Sequence, residues 1–278
     1  PKDQLRVHVT EKKTSDQIVP VPMDLSVVFE DEHVLVIDKP AGMPVHPSQG
    51  HYENTLANGI AWYYRNEESP FVFRAVNRLD RDTSGLVLLA KNPYSSCVLS
   101  DAVKDHTIHR EYAAIVSGKT DASGTIDLPI ARKDGSTIER VLDPERGETA
   151  VTHYRTFAYN KNADLSFIRL LLETGRTHQI RVHMKAIGHP LPGDFLYCPD
   201  YRFIDRQPLH STYLSFSHPV TGEKLEFSAP LPGDMRKLFP NIKDPSGPVF
   251  IKADPGGSYL REQRAKVRAC ARPWRLSR

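Results

Sequence analysis

Short apolar runs broken by proline and glycine set the rhythm of the chain. Val27–Glu30 and Val34–Lys39 read as a strand pair around the turn Asp31-Glu32-His33, and Lys39-Pro40-Ala41-Gly42 ends the second strand. Asn54 is placed to cap a helix whose apolar positions Leu56, Ile60 and Tyr63 recur at helical spacing. Val72–Val76 and Gly85–Ala90 read as strands flanking the polar segment Asn77–Ser84. Asn92-Pro93 starts a helix running to about Lys104, the cap residue followed by proline in the first turn. Arg110–Ser117, Gly124–Ala131, Thr149–Ala158 and Ser166–Glu173 read as further strands, several in hairpins. A helix is predicted from about Thr177 to Ile187, closed by Gly188. Tyr213–Ser217 and Lys224–Ser228 complete the strands, and Asp234–Leu238 gives a short last helix.

Strands outnumber helices and most neighbours are joined by short turns. The expected class is therefore α+β, a mainly antiparallel mixed β-sheet with flanking helices, and not a doubly wound parallel sheet. Pro245, Gly247, Pro248, Pro255, Gly256 and Gly257 crowd together beyond Pro240. This divides the chain into an extension over 1–24, a body over 25–240 and a tail over 241–278.

The chain has 278 residues, 39% hydrophobic and 26% charged, which is ordinary for a globular protein. No run of 18 apolar residues occurs, and the start PKDQLRVHVTEKK has no apolar stretch, so a membrane span or an export signal is not expected. Cys97, Cys198 and Cys270 form no CxxC pair, which argues against a disulfide framework and for a reducing cytoplasm. The net charge of +3 hides an uneven distribution. Residues 241–278 hold nine Lys/Arg against three acids, +6 in all, which leaves −3 on the rest. A polyanion partner and a merely solvated tail both fit that asymmetry.

Several chemistries have no motif here: GxGxxG after a strand, GxxxxGK[ST], HExxH and GxSxG are all missing. His178 and His183 are five apart, so on a helix they point about 140° away from each other, and no metal site is expected from them and His189. Two polar stretches remain. In Asn77–Lys91, Asp80 lies between Arg78 and Arg81 on a loop between two apolar strands, where cations could keep a carboxylate ionised. On these residues alone Asp80 could equally be a turn cap paired with an arginine. In Thr174–His183, a strand end opens a helix, so free N–H groups and Arg176 could meet an anion. There Ile180, Met184 and Ile187 form the core stripe, and Arg181 sits at its border, where partial burial would demand an acidic partner. A surface basic helix would look the same.

Taken together, these stretches resemble the RluA family of pseudouridine synthases. Asn77–Lys91 is similar to the family's (H)RLDxxTSGLLLLAK motif, with Asn77 where His is frequent. VFEDEHVLVIDKPAGMPVHP from Val28 resembles its N-terminal strand–turn motif, and REYAAIVSG from Arg110 its tyrosine motif. LETGRTHQIRVHMKAIGHPLPGDFLY from Leu172 resembles its arginine motif, and the matches run in the family's order over about residues 25–232.

The resemblance implies a pseudouridine synthase catalytic domain acting on RNA, ribosomal first and transfer RNA second, as a cytoplasmic monomer without cofactor or metal. It implies that Asp80 is the catalytic nucleophile or base, that Arg181 pairs with it, and that Tyr112 stacks on the uracil and helps remove the C5 proton. Arg78 would fill the space left by the extruded base. Arg81, Arg176, Thr177 and His178 would contact RNA, while Lys39, Pro40 and Gly42 would shape the floor of the site. A catalytically silent RNA-binding relative is the alternative. A hydrolase using Asp80 and Asp82 is disfavoured, because two carboxylates on one turn cannot easily flank a sugar from opposite faces.

Overall fold

The computed structural model describes residues 15, 18–48, 50, 52–66, 72–242 and 247–250. In chain order the elements are β1 (Ser26–Glu30), β2 (Val34–Lys39), α1 (Leu56–Tyr63), β3 (Ser84–Ala90), α2 (Pro93–Lys104), β4 (His109–Ser117), β5 (Ser123–Asp127) and β6 (Ile130–Arg132). They continue as β7 (Arg140–Leu142), β8 (Val151–Asn160), β9 (Leu165–Leu172), α3 (Gln179–Ala186), β10 (Leu209–Ser217), β11 (Lys224–Ser228) and α4 (Gly233–Leu238). The main sheet has the order β1-β2-β3-β10-β4-β9-β8-β5, with β11 also on β10, while β6 and β7 pair separately.

The α+β class follows from how the strands join. β10 enters between β3 and β4, parallel to the first and antiparallel to the second. Among the described residues the other strand pairs are antiparallel. The parallel seam is short, His210 beside Ser84 and Ser211 beside Gly85, and the two backbones approach closely there. A Cβ on Gly85 would come within 2.2 Å of the Ser211 carbonyl oxygen, and its φ of +107° lies where side chains are disfavoured, so only glycine fits.

Period-two alternation sends apolar side chains to both faces. Leu35, Ile37, Val87, Leu89, Tyr112, Ala114, Ile168 and Leu170 face α1 and α3. Val34, Val36, Leu86, Leu88, Leu214 and Phe216 pack with Leu99 of α2 on the other side. Truncating any such leucine to alanine costs about 2–5 kcal/mol. Among the described residues no helix is long and apolar enough to cross a membrane.

Four local expectations are corrected. Val72–Val76 is not a strand: beyond the bridge of Ala75 to Leu89, the side chain of Asn77 takes over the pairing. Its Oδ1 accepts from the Leu88 N–H at 2.7 Å and its Nδ2 donates to the Leu86 carbonyl at 3.2 Å. The α1 cap is Thr55, reciprocally bonded with Asn58, because Asn54 turns left-handed at φ 60°. Gly124–Ala131 splits into β5 and β6 around Leu128-Pro129, proline having no N–H for the ladder. Helix α3 begins at Gln179, because His178 adopts φ 58°. Its end is as expected: Gly188 is left-handed and the His189 N–H donates to Met184 O at 2.9 Å.

Residues flanking the body at both ends make contacts with it. Asn58 Nδ2 donates to Val19 O at 2.7 Å, laying the segment from residue 18 along α1. Glu111 is fully buried with Arg169 and His109, and its carboxylate also accepts the N–H groups of Val249 and Phe250 at 2.9–3.0 Å. The remainder of the basic tail, with Cys270, lies outside the described residues.

Candidate active site

The loop carrying Asp80 is pinned from three sides. Asn77 is locked to the β3 backbone, Leu79 is buried, and the Thr83 N–H closes a turn onto Asp80 O at 3.1 Å. From the end of β2 the fully buried Lys39 ammonium donates to Pro40 O and Met43 O at 2.8 Å and to Arg81 O at 3.0 Å. It thereby ties the Pro40–Met43 turn beneath the Asp80 loop. Burial pulls its pKa down to about 7, against the opposing pull of Asp82 and Asp80.

Arg181 comes from α3 and is 1% exposed, deeper than the border position its spacing implied. Its Nη1 donates to Asp80 Oδ2 at 2.8 Å. Its Nε and Nη2 form a fork to Asp194 at 2.6 and 2.7 Å. Burial opposes the charge of the guanidinium, but the bonds from Asp194 and Asp80 outweigh it and raise its pKa above the usual value. Asp194 is itself buried, and its Oδ1 also accepts the N–H groups of Leu196 and Tyr197.

Tyr112 on β4 is 5% exposed and lines a narrow pit with Asp80, Arg181, Leu79, Thr83, Leu172, Ile180 and Leu209. Burial raises its phenol, so the hydroxyl stays protonated at neutral pH. His178 stands over the pit, with Nε2 3.9 Å from Asp80 Oδ2 and Nδ1 2.9 Å from the Tyr197 hydroxyl. Burial pulls its pKa below 6.5, so it is largely neutral at pH 7.

The pit opens into a cleft of about 1400 Å³, walled by 44–48, by the Asp80 loop and by 174–178. Cationic groups line it: Arg78, Arg81, Lys104, Arg110 and Arg176, with Thr177 on the same wall. Two of these have carboxylate partners within the protein. Arg81 forms a fork with Asp82 at 2.9 Å, not with Asp80. Arg176 pairs with Glu148 and donates to Thr149 O at 3.1 Å. Both pairs are exposed at the arginine and so are weak enough to exchange for another anion. His183 and His189 take separate partners, Thr152 with Leu128 O and Ser117 O, away from His178.

Sequence reasoning missed Arg110, Lys104, Asp194 and Tyr197. Arg110 was readable, since two residues before Tyr112 on a strand is the same face. Lys104 follows from the end of α2. Asp194 carried only one signal, that a buried Arg181 needs more than one acceptor. Chemically, the site offers a carboxylate held by a guanidinium beside a buried tyrosine, in a narrow pit at the base of a cationic groove.

A family model described as RNA pseudouridylate synthase matches residues 33–186, which include Asp80, Tyr112 and Arg181. The chain is 46% identical over 237 residues to the uncharacterized RNA pseudouridine synthase YjbO of Bacillus subtilis, covering 85% of this chain and 83% of that one. It is 43% identical over 237 residues to ribosomal large subunit pseudouridine synthase D of Zymomonas mobilis, covering 79% and 73%. Human RNA pseudouridylate synthase domain containing 1 has the same fold, with a TM-score of 0.62 at 25% identity over 74% of this chain and 83% of that one.

Proposed function

The chain belongs to the RluA family of RNA pseudouridine synthases, and from that premise we propose that it converts uridines of ribosomal RNA to pseudouridine, with Asp80 opening the reaction. The observation that carries the reading is the Asp80–Arg181 contact at the base of a cationic cleft. Ribosomal RNA is preferred over transfer RNA because relatives spanning most of the chain are named for the ribosomal large subunit. The same reading makes the protein a cytoplasmic monomer.

The reaction is an isomerisation. The bond from N1 to the ribose C1′ breaks, the uracil turns, and a bond from C5 to C1′ forms while the C5 proton leaves and N1 is reprotonated. Atoms and electrons balance without a cofactor. The scissile bond is hidden in stacked RNA, so the nucleotide must be everted, at a cost of a few kcal/mol. Phosphate contacts from Arg78, Arg81, Arg176 and Thr177 offset that cost, and Arg78 is long and exposed enough to enter the gap left in the stack. Asp80 then acts as nucleophile or base, held and aimed by Arg181. Tyr112 offers its ring face to the uracil. Because its phenol is protonated, it accepts the C5 proton only while passing on its own.

The test is incubation with ribosomal RNA tritiated at uridine C5. Isomerisation releases tritium; tight binding without release identifies a silent RNA-binding relative instead.

A further inference from the structure

The segment Asp194–Tyr197 touches both groups that face Asp80, and no role described so far accounts for Tyr197. This side chain is buried, with its ring centre 4.9 Å from Cζ of Arg181. Its hydroxyl lies 2.9 Å from Nδ1 of His178 and accepts the Arg140 N–H at 2.9 Å. Its own N–H is tied to Asp194 Oδ1 at 3.2 Å. One tyrosine therefore seats the guanidinium and the imidazole together.

The directions of these bonds select a tautomer. A phenol oxygen that accepts from Arg140 has its own proton to give, and Nδ1 of His178 is in reach. Burial pushes the Tyr197 phenol up to about 12, so that proton is present throughout the neutral range. An imidazole accepting at Nδ1 carries its proton on Nε2, the atom facing Asp80. The opposite tautomer would turn a bare lone pair toward a carboxylate. The backbone agrees: His178 holds a left-handed φ of 58° and makes no side-chain cap to α3, which leaves its ring over Asp80. At 3.9 Å its N–H is beyond hydrogen-bond reach of Oδ2.

We propose that Tyr197 is a positioning residue that fixes His178 as the Nε2–H tautomer, and that this N–H is the donor that meets a carbonyl oxygen of the everted uracil. The inference rests on the proposed reaction. Cleavage of the glycosidic bond leaves negative charge spread over the uracil oxygens, and a preset donor stabilises that charge more than it stabilises the neutral ring.

The experiment uses the full chain labelled with ¹⁵N-histidine. Long-range ¹H–¹⁵N spectra report the Nε2–H form for His178 in the wild type and a mixture in Tyr197→Phe, which keeps the ring under Arg181. In tritium release, Tyr197→Phe loses about tenfold in kcat with little change in KM, the size of one hydrogen bond. His178→Gln, whose amide also presents an N–H, recovers part of the rate lost in His178→Ala. An Nδ1–H form in the wild type, an unchanged kcat in Tyr197→Phe, or glutamine no better than alanine overturns the proposal. A wild type that releases no tritium overturns the proposed reaction and the uracil contact with it, and the tautomer spectrum tells that failure apart from a failure of the Tyr197–His178 relation.

Discussion

Asp80 and Arg181 lie 101 positions apart in the chain, and their side chains meet at 2.8 Å. Only one nitrogen of the guanidinium serves this contact; the other edge is bound in a fork to Asp194. A guanidinium held on both edges cannot pivot. The direction of the Asp80 carboxylate is thus set through a residue that does not line the cleft.

Asp80→Asn keeps the shape of the site and removes the anion. Turnover is expected to fall roughly a thousandfold or more, while RNA affinity stays within a few-fold. Tritium release and filter binding measure the two; substantial residual turnover would remove Asp80 from its role.

Asp194→Asn leaves Arg181 buried with a single carboxylate. Breaking one side of a buried pair costs about 3–5 kcal/mol, read as a lower urea midpoint. Activity measured well below that midpoint should also drop, because Arg181 is free to turn from Asp80. Stability lost with kcat intact would confine Asp194 to folding.

Tyr112→Phe keeps the ring and deletes the hydroxyl. KM should barely move and kcat should fall about tenfold, the size of one hydrogen bond. A wild-type rate would remove the phenol from the mechanism.

His210 links β10 to β3 through Ser84 Oγ at 2.9 Å, and burial pulls its pKa down to about 4. Between pH 6.5 and 4 the unfolded chain binds a proton that the folded one refuses, so stability is full above 6.5 and is lost as pH falls. The shift is worth about 3 kcal/mol. Urea unfolding from pH 7.5 to 4.5 should show the decline, and His210→Gln should flatten it; parallel curves for the two proteins would exclude His210 as its source.

Deleting residues 251–278 spares the Val249 and Phe250 contacts with Glu111 and removes most of the basic tail. RNA binding should weaken, and the slope of log Kd against log salt should flatten by about 0.7–0.9 for each phosphate no longer neutralised. An unchanged slope would show that the tail makes no phosphate contacts.

Most elements were legible in the sequence because alternation, Asn92-Pro93 and Gly188 are local signals. The failures were also local in cause. Asn77 substitutes its side chain for a neighbouring backbone, and His178 accepts a left-handed φ, and neither choice is visible in hydrophobic spacing. By adjacency alone Arg78 and Arg81 stood as the cations of Asp80; the family resemblance named Arg181 instead, and that is the partner that arrives from α3. Sequence adjacency reports neighbours along a chain, and a loop carboxylate points away from the residues that flank it. The depth of Arg181 depends on Asp194, a pairing that only the folded connection between α3 and β10 creates.

The position of β10 has a consequence for how the molecule is made. Asp80 precedes β3 and Tyr112 sits on β4, and the strand that separates and joins those two ends only at Ser217. A nascent chain shorter than that has both halves of the sheet and no shared strand between them. The reactive pocket is therefore assembled only after the chain through Ser217 has left the ribosome.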